Sequence, residues 1–464
     1  MQEENEMKLN KKIYKYTTLV IFLITFILLL ISHGYGDILV TTRHGMNFWK
    51  LLFDGKIFQF FDLNIINSGN KYYTHVYACY YNIVTYIIFA IWNIPMSLLM
   101  NLTSIDVMNN PICLIYIKLL PVFFLVLSAN VLKKIMKEIG VEDKFNKICI
   151  FLFLSSAITL SCILVVGQYD IISVYFQLLS LYAYIKNDDK KFLLWSSIAF
   201  CCKYFSILIF LPLLIHKYKK IGKIFGYTVI MLIPFVITNV LFRVTDVGYT
   251  NGFDPNLTTQ IIARLLKESS LIYPLFFVVY IALIVWCYVN NQSKLKHPYI
   301  YICLIAMASF FGLLNVYPYW CIMIVPYIIL LIAINPELFE LNVILETIGS
   351  ICLMFGKMVK YPDCYLSGTM KPMIWNYVCP EKLRNDSVLD NLLNYVHDFP
   401  QWEIIPRTIF VIAIAIMIYY SYKQNKEKIS IEYNDRYLIM LIRTIMVCGF
   451  NLLPLFAVLF RIVN

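Results

Sequence analysis

Residues 8–32 read KLNKKIYKYTTLVIFLITFILLLIS. Four lysines, Lys8, Lys11, Lys12 and Lys15, lead into an apolar run that extends from Ile13 to Ser32. A helix needs about 20 such residues to cross ~30 Å of hydrocarbon. Lysines flanking a span are retained on the cytoplasmic side, so this stretch predicts a cytoplasmic N-terminus. The small-residue cleavage site of a secretory signal does not follow it, which predicts a retained first helix.

The rest of the chain repeats the pattern. Of 464 residues, 60% are hydrophobic and 14% charged, against ~45–50% and ~25% for a soluble domain. The formal charge of +11 does not point to nucleic acid, because the lysines lie in short tufts between apolar runs. Most of the thirteen cysteines fall in apolar runs and read as small buried hydrophobes. Cys364 and Cys379 share one expected external loop, where a disulfide is possible. The sequence carries no internal repeat and no separate soluble domain.

The expected fold is all-α and polytopic, with thirteen transmembrane helices and a large first external loop over residues 33–111. That loop contains an amphipathic stretch, 46–61, and an apolar one, 81–100. If the apolar stretch crossed fully, Lys133, Lys134, Lys137, Lys144 and Lys147 would lie outside. If it lies flat, or dips in and returns, broken at Asn93 and Pro95, these lysines lie inside. The second choice also places inside the tufts beginning at Lys186, Lys217, Lys294 and Lys423. The remaining helices are expected near 112–135, 147–166, 170–185, 192–202, 204–216, 221–241, 271–289, 299–314, 318–334, 341–358, 405–422 and 437–460. The C-terminus is then external, with further external loops at 243–270 and 359–404. Two modules are expected: 1–216, and the C-terminal helices of 217–464.

Charges near the membrane are candidates for function. Beyond the first helix come Asp37, Arg43 and His44; Asp37 suits a base for an acceptor hydroxyl, and the alternative is a merely solvated loop. Gly167-Gln168-Tyr169-Asp170 falls on the same side, where Asp170 reads either as functional or as a helix cap. Lys203 interrupts two short apolar helices and reads either as snorkelling or as a phosphate contact. Arg243 has the same two readings, with anchoring favoured. Tyr317-Pro-Tyr319-Trp320 reads as an interfacial aromatic belt or as a platform for sugar rings. Walker, GxSxG, HExxH and GxGxxG motifs are missing, which argues against nucleotide-driven pumps and the common hydrolases.

Three stretches resemble the GT-C superfamily of membrane glycosyltransferases, and within it the PIG-M-like mannosyltransferases and bacterial polyprenyl-phosphate-sugar-dependent enzymes. They are Tyr35-Gly-Asp-Ile with Asn47-Phe-Trp-Lys-Leu-Leu-Phe-Asp-Gly55, Tyr80-Tyr-Asn-Ile-Val-Thr-Tyr86, and Gly167-Gln-Tyr-Asp170 followed by Cys202-Lys-Tyr-Phe205. The resemblance is firmest over residues 13–216. It implies an inverting, hexosyltransferase-type enzyme of the plasma membrane that works on the extracytoplasmic side. The donor would be a polyprenyl-phosphate-linked sugar and the acceptor a cell-surface glycan or lipid. It further implies Asp37 as general base, Asp170 as second acidic residue and Lys203 near the donor phosphate. Apart from the resemblance, Arg243 is a second candidate for that phosphate, and Arg43, His44, Gln168, Tyr169, Tyr319 and Trp320 are candidates for contact with substrate. The chain departs from the family at Leu39, where a second acidic residue is common, and at Tyr204, where proline is usual. A lone Asp37 is a poor ligand set for a divalent cation. The alternatives are a lipid or polysaccharide transporter, expected to show polar residues deep in the membrane, and a polymerase-type assembly protein.

Overall fold

A computed structural model describes residues 2–32, 34, 36–62, 81–108, 110–243, 273–290, 295–365, 388–424 and 436–463, and every regular element among them is helical. The chain opens with α1 (Gln2–Ser32) and turns at once into α2 (Gly36–Phe53), which ends in a 3-10 turn, Ile57–Asp62. The amphipathic stretch thus begins ten residues earlier than its sequence pattern suggests. Asp37 lies in the first turn of α2, not in a loop, where the helix dipole favours a negative charge.

Next come α3 (Ile83–Trp92) and α4 (Ile94–Leu102), bent by 62° at Asn93. The break has a local cause. Pro95 has no N–H to continue the ladder, and the Asn93 side chain donates back to the Phe89 carbonyl at 2.9 Å. Asn82 caps α3 by accepting from the Val84 amide at 3.0 Å. Then follow α5 (Pro111–Glu138), α6 (Asp143–Leu154) and α7 (Ala157–Thr159), which runs into a π-helical turn, Leu160–Val165. The expected helix over 147–166 is therefore two pieces bent by 43°. The hairpin α8 (Ile171–Ile185) and α9 (Asp189–Cys202) leads through a 3-10 turn, Tyr204–Ser206, into α10 (Ile207–Tyr218) and α11 (Ile221–Phe242). The second half comprises α12 (Tyr273–Val289), α13 (Pro298–Leu313), a 3-10 segment Pro318–Ile324, α14 (Val325–Ile334), α15 (Phe339–Lys360), α16 (Val388–His397), α17 (Gln401–Gln424) and α18 (Arg436–Val463).

Six of these are long and apolar enough to cross a membrane: α1, α5, α11, α15, α17 and α18. The number rises to eight if the bent pairs α3–α4 and α6–α7 each count as one span. The apolar helices α8, α10, α12, α13 and α14 are shorter. The 15 residues of α8 reach only about 22 Å, less than the hydrocarbon thickness. Although α11 is mostly apolar, Met231 is its one buried side chain, as expected of a helix facing lipid.

One continuous hydrophobic core draws on both halves of the chain, from Phe22 to Leu455. Inside it sits an ion pair that the sequence pattern does not signal. Arg443 of α18 donates from Nε to Glu346 Oε2 of α15 at 3.0 Å and from Nη1 to Ser155 Oγ at 2.7 Å. Ser156 donates to Glu346 Oε1 at 2.8 Å. The break between α6 and α7 is thereby held by two distant helices. Cys364 is buried at the end of a 3-10 turn, Pro362–Cys364, while Cys379, its expected disulfide partner, and the central parts of the three long loops lie outside the described residues.

Candidate active site

Four sequence segments converge beyond the end of α1. The first is the start of α2, whose approach to α3 depends on Gly45: a Cβ there would meet Phe89 Cβ at 2.8 Å. That close crossing sets the depth of Asp37 and Thr41. The Thr41 hydroxyl donates to the Asp37 carbonyl at 2.9 Å, so at 2.7 Å it accepts from the Tyr169 hydroxyl.

Gly167-Gln168-Tyr169-Asp170 is the second segment. Gly167 takes φ +70°, a left-handed conformation that releases the chain from the π-helical turn. Behind it lies the stem of Lys118, fully buried, whose ammonium donates to the Leu29 carbonyl at 2.7 Å. Lys118 therefore ties the C-terminal part of α1 to this turn. Facing outward, Gln168 Nε2 donates to Asp37 Oδ2 at 2.7 Å across 131 residues of chain.

The third segment is the break between α9 and α10, where Lys203 is extended (φ −156°, ψ 116°). Its ammonium lies 2.9 Å from Asp170 Oδ1, with both side chains nearly fully buried. Three rings surround it: Trp320 at 4.8 Å, Tyr81 at 5.0 Å and Phe205 at 5.9 Å from their centroids. Those faces stabilise a desolvated cation. Snorkelling is thus excluded for Lys203, and Asp170 makes no side-chain cap bond to α8. Both side chains turn to each other.

Tyr319 and Trp320 come from the fourth segment, Pro318–Ile324. Both are buried, unlike belt residues facing an interface. Tyr319 hydrogen-bonds with Asp37, and the Trp320 ring closes the wall against Lys203 and, at 4.6 Å between centroids, against Phe205.

Asp37 is half-buried while Asp170 is buried, so Asp37 is the carboxylate that keeps an opening. Burial pushes the Asp37 carboxyl above its usual range. The Gln168 hydrogen bond and the Lys203 charge pull it back, and the neighbouring Asp170 charge adds to the rise. Such a group is a stronger base than an exposed aspartate.

Three polar atoms of this site are buried without a hydrogen-bond partner among the described residues: Asp170 Oδ2, Gln168 Oε1 and Trp320 Nε1. Among the described residues no three His, Cys, Asp or Glu side chains cluster as metal ligands.

Three expected site residues lie elsewhere. The contacts of Asp37 and Asp170 do not include Arg43, His44 or Arg243. His44 is fully buried, with its ring 5.6 Å from Tyr86 and 6.4 Å from Phe60, because the apolar face of α2 turns it inward. Arg43 is half-buried on the same helix. Arg243 stands at the end of α11 with its guanidinium 4.5 Å from the Phe61 ring and Nη2 3.5 Å from the Tyr81 carbonyl, one residue layer behind the site. Tyr81 and Thr41 are members of the site that sequence reasoning did not single out by role. No protein-family model matches the chain, and neither the curated proteins nor the solved structures give a match.

Proposed function

We propose that this chain is an inverting membrane glycosyltransferase of the GT-C type, working on the extracytoplasmic side of the plasma membrane with its N-terminus cytoplasmic. In this reading α3–α4 dips in and returns, and α1, α5, the α6–α7 pair, each helix from α8 to α15, α17 and α18 are the thirteen spans. The donor is a polyprenyl-phosphate-linked hexose, mannose-like in class, and the acceptor a cell-surface glycan or lipid. The observation that carries the reading is the half-exposed Asp37 carboxylate, raised in basicity and oriented by Gln168 beside the buried Asp170–Lys203 pair.

The chemistry is a single displacement. Asp37 takes the proton of the acceptor hydroxyl as its oxygen forms a bond to the anomeric carbon. The bond from that carbon to the phosphate oxygen breaks, and the polyprenyl phosphate leaves with the electron pair. Attack from the face opposite the phosphate inverts the anomeric centre. Lys203 is already paired with Asp170, so its charge acts on the phosphate through space. Its first task is positioning. Arg243, whose Nη2 lies 3.5 Å from the Tyr81 carbonyl, is a further cation beside the site.

One observation favours the transporter reading. Ser173, Gln177 and Ser180 run along one face of α8 inside the apolar core, where Gln177 Nε2 donates to Ser173 Oγ at 3.0 Å and Ser180 pairs with Ser196 at 2.6 Å. Mid-membrane polarity of this kind is scarcely visible in the sequence pattern. The two readings separate in one experiment on membranes that supply acceptors, using a panel of synthetic polyprenyl-phosphate sugars. The enzyme reading expects sugar transfer by the parent protein and its loss in Asp37→Asn at unchanged thermal stability. Movement of intact lipid-linked sugar across vesicles, with no transfer, sinks it in favour of transport.

A further inference from the structure

The unpartnered atoms at the site have a definite polarity. Asp170 Oδ2 and Gln168 Oε1 accept hydrogen bonds; Trp320 Nε1 donates one. Gln168 cannot turn to relieve this, because its Nε2 end is fixed by the Asp37 carboxylate at 2.7 Å. Nor can Asp170, whose other oxygen is held by Lys203 at 2.9 Å. The Trp320 ring is pinned between Lys203, Phe205 and Tyr317. A buried polar atom without a protein partner is met by water or by a ligand, and a ligand with matching groups takes the place of that water.

The charge of the site is equally definite. Asp37 and Asp170 face Lys203, an excess of one negative charge in a desolvated setting. A sugar ring meeting these two acceptors should present hydroxyl donors to them and no carboxylate, since an anion placed against Asp170 Oδ2 would be repelled.

We propose that Asp170 Oδ2, Gln168 Oε1 and Trp320 Nε1 form a pyranose-binding subsite that accepts neutral sugars and excludes uronic acids. Two sugar hydroxyls donate to Asp170 and Gln168, and a third sugar oxygen accepts from the Trp320 indole. Tyr81 and Trp320 offer aromatic faces beside the ring. On this assignment Asp170 is a sugar clamp and not a second base. The subsite rests on the reading of the site as a place for a lipid-linked sugar, and its test is kept separate from transfer.

The test is saturation-transfer NMR on the full-length protein in detergent, with methyl glycosides as probes. Neutral methyl hexopyranosides should give signal, and methyl uronosides should be at least about tenfold weaker. Among deoxy analogues, those lacking a recognised hydroxyl should lose roughly tenfold or more. Trp320→Phe keeps a ring but removes the donor, so it should abolish the penalty for one particular deoxy analogue. If that variant fails to fold, Gln168→Met reads the Oε1 contact in the same way. Equal signal from uronosides, no signal from any glycoside, or a deoxy penalty unchanged in the variant would each overturn the subsite. Selective glycoside binding without transfer from any lipid-linked donor would remove the transferase reading and leave the subsite standing. Transfer without that selectivity would do the reverse.

Discussion

Asp37 and Asp170 show how two like side chains acquire different work from their surroundings. Asp170 is buried and neutralised by Lys203; Asp37 keeps surface, and burial raises its carboxyl above the usual carboxylate range. A base must be deprotonated to act, so transfer should fall as the pH drops through this raised value. The acid limb of the pH–rate profile should therefore lie above that of an ordinary aspartate. Replacing Gln168 by leucine removes a hydrogen bond that lowers the Asp37 value, and the limb should move to higher pH. A limb that stays in place in Gln168→Leu would show that Asp37 is not the titrating group. Lys203 gives a second prediction. Lys203→Met leaves Asp170 as an unpaired buried carboxylate and should destabilise the protein by about 3–5 kcal/mol. Adding Asp170→Asn should recover much of that loss in detergent melting curves. Asp37, Gln168, Asp170 and Lys203 were legible in the sequence because each is a polar interruption of an apolar run. Their meeting was not, since the contact from Gln168 to Asp37 joins positions 131 residues apart. His44 misled for the same reason: a histidine beside an arginine reads as polar, and only the packing of α2 shows it among aromatic rings.

At the scale of elements, close crossings and buried ion pairs hold the site in shape without touching it. Gly45 is the clearest case. Alanine there would bring a methyl group to 2.8 Å from Phe89 Cβ, so α2 must lift from α3 and carry Asp37 and Thr41 with it. Overpacking of this type costs about 1–3 kcal/mol. Gly45→Ala should lower thermal stability by that order and depress transfer, although no atom of residue 45 enters the site. Unchanged activity at normal stability would show that the α2–α3 crossing does not set the position of Asp37. The Arg443–Glu346 pair is a second test of the same idea. Arg443→Met should destabilise by about 3–5 kcal/mol because Glu346 is left buried and alone. The double change to Met and Leu should be markedly milder, as melting of the four members of the cycle would show. Helix existence was readable from run length, but only one of the two breaks was. Asn93 and Pro95 announce the bend of α3–α4, whereas Ser155 and Ser156 look like ordinary small residues until Arg443 and Glu346 are seen to bind them.

For the whole molecule, the hydrogen bond between Gln168 and Asp37 constrains how the chain threads the membrane. Asp37 follows α1, and Gln168 follows the α6–α7 pair. Both must lie on one side, so an even number of crossings separates them. Three apolar segments lie between: α3–α4, α5 and α6–α7. One of them must therefore enter and return. α5 is one unbroken 28-residue helix with Pro121 inside it, and of the two broken pairs α3–α4 is the more sharply bent, 62° against 43°. Its halves have only 10 and 9 residues, about 15 Å each, half the hydrocarbon thickness. This parity puts the lysine cluster around Lys137 on the same side as the lysines ahead of α1, the choice that charge counting had made. A reporter that is active only outside the cell, fused after Thr103, after Gly140 and after Asn187, should be active, inactive and inactive in turn. Inactivity after Thr103 with activity after Gly140 would mean that α3–α4 crosses. Asp37 and Gln168 would then open to opposite faces, and a single site built on their contact would have to be abandoned.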